Sequence, residues 1–155
     1  MIHIAKTPFE PATLLREFQQ DMPDAGAIVS FTGCVRPQSG DDPVTSLYLE
    51  IYPPMTEDGI AKARQQALNR WPLHGLAISH RIGEIAPSEA IVFVAAASAH
   101  RRAAFEAADF VMDYLKTDAV FWKRETRASG TVWIEPRRED YADRDRWRQT
   151  GTTQS

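Results

Sequence analysis

Residues 90–117, AIVFVAAASAHRRAAFEAADFVMDYLKT, constrain the fold more than any other stretch. AIVFVAAASA is apolar on both parities, so a strand here must be covered on two sides and lie centrally in a sheet. The rest reads as a long amphipathic helix. Ala104, Ala108, Val111 and Leu115 form its apolar stripe, and Arg102, Glu106, Asp109, Asp113 and Lys116 its polar one. A two-sided strand feeding directly into a one-sided helix calls for a layered α+β domain.

The flanking sequence fits that frame. Residues 2–5 read as a short strand, and PFEPATLLREFQQ as a helix with Pro11 in its first turn. GAIVSFTGCVR and VTSLYLEIY alternate as strands around the loop RPQSGDDP at 36–43. After Pro53-Pro54 a helix carries Ile60, Ala63, Ala67 and Trp71 at helical spacing, and Pro72 stops it. LAISHRIGEI reads as one strand, with Leu76, Ile78, His80 and Ile82 on one face. VFWKRETR and TVWIE, joined by ASG, read as a hairpin. Residues 136–155 turn strongly charged and are expected to be a polar, flexible tail or an arm that orders on a partner, behind a single domain at 1–135.

Composition limits the function classes. A net charge of -3 gives no overall pull toward nucleic acid or an anionic membrane, so an anion site needs a local basic cluster. The longest wholly apolar run, AIVFVAAA, is far too short for a membrane span. The single cysteine, Cys34, excludes an internal disulfide framework, and MIHIAKTPFE does not read as a secretory leader. The expectation is a cytoplasmic protein. No metal-ligand spacing, nucleophile elbow or phosphate-cradling glycine loop occurs, and no cofactor is expected.

Three clusters carry candidate chemistry. Lys116 closes the long helix, and Lys123 follows in an aromatic strand with Phe121, Glu125 and Arg127 on its own side. A lysine among aromatic neighbours loses solvent, which lowers its pKa and makes the neutral amine available as nucleophile or base. Glu125, roughly 7 Å along the strand, is placed to orient it. Alternatively, Lys116 is a helix-end cation paired with Asp113 and Lys123 a snorkelling edge lysine. In SAHRR, the helix N-terminus exposes free N–H groups with Ser98 as cap, and His100, Arg101 and Arg102 crowd its positive end. An external anion such as phosphate explains that crowding; pairing of Arg102 with Glu106 is the plainer alternative. In FTGCVRP, Gly33 permits close backbone approach and Arg36 projects at a strand end. Cys34 reads as a small buried hydrophobe and His80 as a satisfied core histidine.

Together, FTGCVR, LEIYPPMTE, RWPL, HRIGEI, SAHRRAAFEAADFVMDYLKT and FWKRE resemble the large, catalytic subunit family of molybdopterin synthase, in family order from about residue 26 to 125. The resemblance implies an α/β hammerhead-type fold with a mixed or antiparallel sheet, two main helices and a C-terminal hairpin. It implies a sulfurtransferase of molybdenum cofactor biosynthesis. A small ubiquitin-like sulfur-carrier subunit would present a thiocarboxylate on its C-terminal Gly-Gly, and cyclic pyranopterin monophosphate would accept two sulfurs as a dithiolene. The implied assembly is a homodimer of this chain within a heterotetramer. Lys116 and Lys123 fall on the family's important lysines. Its substrate-binding segments fall on Cys34-Val35-Arg36, on His100-Arg101 and on Lys123-Arg124-Glu125. A non-catalytic module that binds an anion or a partner's tail, or a lysine-dependent phosphate-ester hydrolase, are the alternatives.

Overall fold

A computed structural model of the chain describes residues 1–149. The elements run β1 (Ile2–Ala5), α1 (Pro11–Asp21), β2 (Ala27–Cys34), β3 (Gln38–Ser39), β4 (Asp42–Ile51), α2 (Met55–Arg70), β5 (Leu73–Arg81), β6 (Gly83–Ile85), β7 (Ala90–Ser98), α3 (Arg101–Thr117), β8 (Phe121–Arg127), β9 (Gly130–Ile134) and α4 (Arg138–Gln149). The α+β class is borne out, and the β-structure is divided over two sheets. The first has the order β1-β5-β7-β2, with β1 parallel to β5 and the rest antiparallel. The second has the order β3-β4-β8-β9, with β6 also paired to β4.

The two-sided apolarity of β7 has a direct structural cause. Val92, Val94 and Ala96 pack with Ile60 and Ala67 of α2 and with Ala104, Ala108 and Val111 of α3. Phe93, Ala95 and Ala97 face the other way, against Phe18 of α1. Phe93 is 1% exposed, so its burial contributes about 2 kcal/mol by apolar area. Val35, Val44, Leu47, Leu49 and Ile85 form a separate core under the second sheet.

In its chain path and helix ends the structure departs from the sequence reading in four places. LAISHRIGEI is not one strand: Gly83 has φ of 85°, a left-handed conformation that favours glycine. There the chain leaves the first sheet as β5 and enters the second as β6. The loop at 36–43 contains the short antiparallel pairing of β3 with β4. Ser98 does not cap α3: its hydroxyl donates to the Pro72 carbonyl at 2.9 Å, and His100 holds the cap position.

The fourth departure is the C-terminal stretch expected as a flexible tail. Residues 138–149 of it form α4, and Trp147 is buried. Its indole sits edge-on to Trp71 at 5.6 Å and to Phe110 at 5.5 Å. The indole N–H donates to Asp113 Oδ2 at 2.6 Å, which explains how Asp113, on the polar stripe of α3, comes to be buried. Arg146 bonds Asp109 and Asp113, and Arg144 bonds Asp118. Aromatic burial and charge-assisted bonds together hold α4 on α3. The expectation for residues 150–155 lies outside the described residues. Among the described residues, no helix is long and apolar enough to cross a membrane.

Candidate active site

Lys116 and Lys123 meet because α3 ends where β8 begins. Lys116 occupies the last turn of α3, and the short link through Ala119 brings the chain directly into β8. That link is anchored from α2: the buried Thr56 hydroxyl donates to the Val120 carbonyl and accepts the Tyr52 N–H at 2.9 Å. In the second sheet Lys123 lies between Leu49 of β4 and Ile134 of β9.

Two adjoining cavities share Arg36, Lys116, Lys123 and Ile134 in their walls. The larger, about 340 Å³, is otherwise lined mainly by β2, β5, β7 and α3, including Cys34, His80, Met112 and Leu115. The smaller, about 150 Å³, is closed by Glu135, Pro136, Arg137 and Asp140. The result is one cleft with apolar inner walls and four cationic side chains, Arg36, Lys116, Lys123 and Arg137.

Lys123 is held below the ordinary lysine pKa, chiefly by burial and then by the charge of Lys116; the Asp140 carboxylate opposes the shift. The expected orienting partner, Glu125, is otherwise engaged: its carboxylate accepts from Arg127 Nε at 2.5 Å. Asp140 lines the same cavity and its charge favours the protonated Lys123; sequence spacing carried no signal of it, since α4 packing brings it there.

His80 is a satisfied core histidine, as expected, and also part of the cavity wall. Its ring stacks on Phe121 at 4.1 Å, and Nδ1 lies 2.9 Å from the Arg81 carbonyl. A carbonyl only accepts, so Nδ1 carries the hydrogen and Nε2 the lone pair. Burial pushes its pKa down to about 4, so the ring is neutral at physiological pH.

The FTGCVR segment enters the cavity at the end of β2. A Cβ on Gly33 would stand 2.9 Å from Val92 Cγ1, so glycine is required for this approach of β2 to β7. Cys34 is exposed rather than buried, which corrects the small-hydrophobe reading; it ends the strand where the register with β7 shifts. Val35 is buried, its N–H donating to the Glu89 carbonyl at 3.0 Å and its carbonyl accepting from the Ser88 N–H at 2.8 Å. Arg36 is thereby turned out into the cleft.

Three of the expected site residues stand elsewhere in this single chain. His100 and Arg101 are exposed at the N-terminal end of α3, about 23 Å from Lys116 along the helix axis by its rise per residue. Glu106, the expected partner of Arg102, instead accepts the Trp71 indole N–H at 2.9 Å. Arg124 lies on the opposite face of β8 from Lys123, its guanidinium over Tyr48 at 4.9 Å and Trp133 at 6.0 Å.

A basic, half-enclosed cleft with a desolvated lysine suits acyl or group-transfer chemistry on an anion, and comparison with known proteins narrows this. The family described as MoaE protein matches residues 4–118. The molybdopterin synthase catalytic subunit of Pseudomonas aeruginosa is 47% identical over 94% of this chain and 97% of its own. The protein of that name from Escherichia coli is 52% identical over 79% of this chain and 81% of its own. Among solved structures, the molybdopterin biosynthesis MoaE protein of Burkholderia ambifaria superimposes with a TM-score of 0.80 at 39% identity, over 95% of this chain and 97% of that one. Molybdopterin synthase from Staphylococcus aureus gives 0.77 at 31% identity, over 85% and 95%. The motif resemblance, the two-sheet fold and the cleft thus agree, and the chain belongs to the MoaE family of molybdopterin synthase catalytic subunits.

Proposed function

We propose that this chain transfers sulfur from the C-terminal thiocarboxylate of a small ubiquitin-like subunit to cyclic pyranopterin monophosphate, building the molybdopterin dithiolene in its lysine cleft. The single observation that carries this reading is the convergence of Lys116, Lys123 and Arg36 on one cleft. The reading assigns the acceptor's phosphate to the cationic wall at Arg36. It brings the partner's extended Gly-Gly tail in beside β9, the exposed edge strand of the second sheet, a recurrent mode of peptide recognition.

The donor is an acyl group, so sulfur release ends in a carboxylate and requires proton transfers. An ammonium at Lys116 or Lys123 stabilises a developing oxyanion or protonates a leaving oxygen. The desolvated Lys123 amine also supports a transient covalent adduct with the acyl group. His100 and Arg101 join the anion wall in this reading only from a second copy, because their own cleft is too distant. This fits the homodimer implied by the resemblance.

Reconstitution tests the proposal. Purified chain, thiocarboxylated partner and cyclic pyranopterin monophosphate are combined, and molybdopterin is read as its fluorescent oxidised derivative. Product is expected only with all three present. No product from the unmodified chain overturns the reading, and turnover of the pterin without the thiocarboxylate favours a hydrolase. If folded Lys116→Ala and Lys123→Ala variants merely weaken partner binding, and no turnover exists to lose, the chain is a binding module.

A further inference from the structure

Asp140 is 7% exposed, although it lies in the most charged segment of the chain. It is the third residue of α4, and Oδ2 accepts the backbone N–H of Arg137 at 2.8 Å, closing the first turn. Its Oδ1 stands 3.2 Å from Arg137 Nη2. The same carboxylate lines the cleft with Lys116 and Lys123. The Arg137 cap and ion pair answer this charge first, and they fix it on the cleft wall beside two amines. A carboxylate leaves water at a large cost unless cations face it.

The charges around it come from every element that closes the cleft. Lys116 comes from α3, Lys123 and Glu125 from β8, Arg36 from the end of β2, and Glu135 and Arg137 from the link into α4. His80 is neutral, Glu125 is neutralised by Arg127, and Glu135 is exposed. Two amines in one cleft repel each other, and each gains from a fixed anion in the same wall.

We propose that Asp140 is the positioning residue of the cleft, a buried counter-charge that α4 delivers to hold the Lys116 and Lys123 amines together and apportion protons between them. This deepens, and rests on, the sulfur-transfer reading. Its electrostatic signature agrees with the geometry: Asp140 raises the proton affinity of Lys123. The Asp140 carboxyl itself is held low: burial works against this, and the Arg137 bonds and then Lys116 outweigh it.

Asp140→Asn separates the two roles, because an amide oxygen still accepts the Arg137 N–H but carries no charge. The titration of Lys123 is read in the chain alone, by competitive labelling with 1-fluoro-2,4-dinitrobenzene across pH and peptide mass spectrometry. Asp140→Asn should lower the Lys123 midpoint by about one pH unit. Glu139→Gln, an equal charge change at an exposed neighbour, should leave it in place. In the reconstituted reaction, Asp140→Asn should shift the pH profile of kcat in the same direction, with little change in KM for the pterin. A Lys123 midpoint in Asp140→Asn that matches the parent overturns the proposal, whether or not the parent makes product. If Asp140→Asn does not fold, Lys116→Met decides: the Asp140 carboxyl midpoint, followed by carbon-13 NMR, should rise. No rise overturns the proposal.

Discussion

The Thr56 hydroxyl donates to the carbonyl of Val120, joining the first turn of α2 to the residue just before β8. Thr56 is wholly buried and also accepts the Tyr52 N–H. The spacing of Lys116 and Lys123 depends on this link. Thr56→Val keeps the shape but orphans both backbone groups. It should cost about 1–3 kcal/mol of stability, measured by urea unfolding, and should lower turnover further by loosening the turn between the lysines.

Lys123 should trade stability for activity. Its folded pKa is below the 10.5 of the free side chain, so in the window between the two the unfolded chain binds more protons. Stability therefore rises with pH through that window, and the penalty is present in full below it. Lys123→Met should be more stable than the parent at neutral pH, with the gap closing as pH approaches 10.5. Denaturant midpoints across pH check this. The same variant, and Lys116→Ala, should lose at least about a hundredfold in product formation.

His80 should govern part of the acid sensitivity. Its folded pKa of about 4 is below the unfolded 6.5, so between these values the unfolded state takes up the proton. Stability is intact above pH 6.5 and falls as pH drops toward 4, by about 3 kcal/mol from this group. His80→Phe should flatten that part of the stability–pH curve, read by thermal or urea unfolding.

Trp147 anchors α4, and with it the closing wall of the smaller cavity. Its ring packs against Trp71 and Phe110, and the Arg70 guanidinium lies 5.7 Å from its centroid. Trp147→Ala should cost about 3–5 kcal/mol. Trp147→Phe keeps most of the packing but deprives Asp113 of the indole donor, and should cost about 1–2 kcal/mol. Chemical denaturation gives both values. Product formation should fall in the alanine variant, because Asp140 reaches the cleft only while α4 is docked.

The elements were largely legible because their signals are local. Alternating residues marked β2 and β4, a 3.6-residue stripe marked α3, and two-sided apolarity placed β7 at the centre of a sheet. The motif resemblance singled out Lys116, Lys123 and Arg36, which the fold brings to one cleft. The reach of His100 and Arg101 was not legible, because charge type and helix position say nothing of how far a neighbouring cleft lies. The lone-cysteine reading of Cys34 failed for a similar reason: exposure at a strand end depends on how β2 leaves β7.

By itself, then, the sequence determined the class of fold, the family and the two amines assigned to the chemistry in the proposed function, since periodicity and motif order are properties of neighbouring residues. Only the tertiary structure decided that β5 and β6 part company at Gly83, that His100 and Arg101 stand far from the cleft of their own chain, and that Asp140 comes to line the cleft beside Lys123. The last of these rests on the docking of Trp147 on α3, where burial of an aromatic ring overrides the polar character of the helix that carries it.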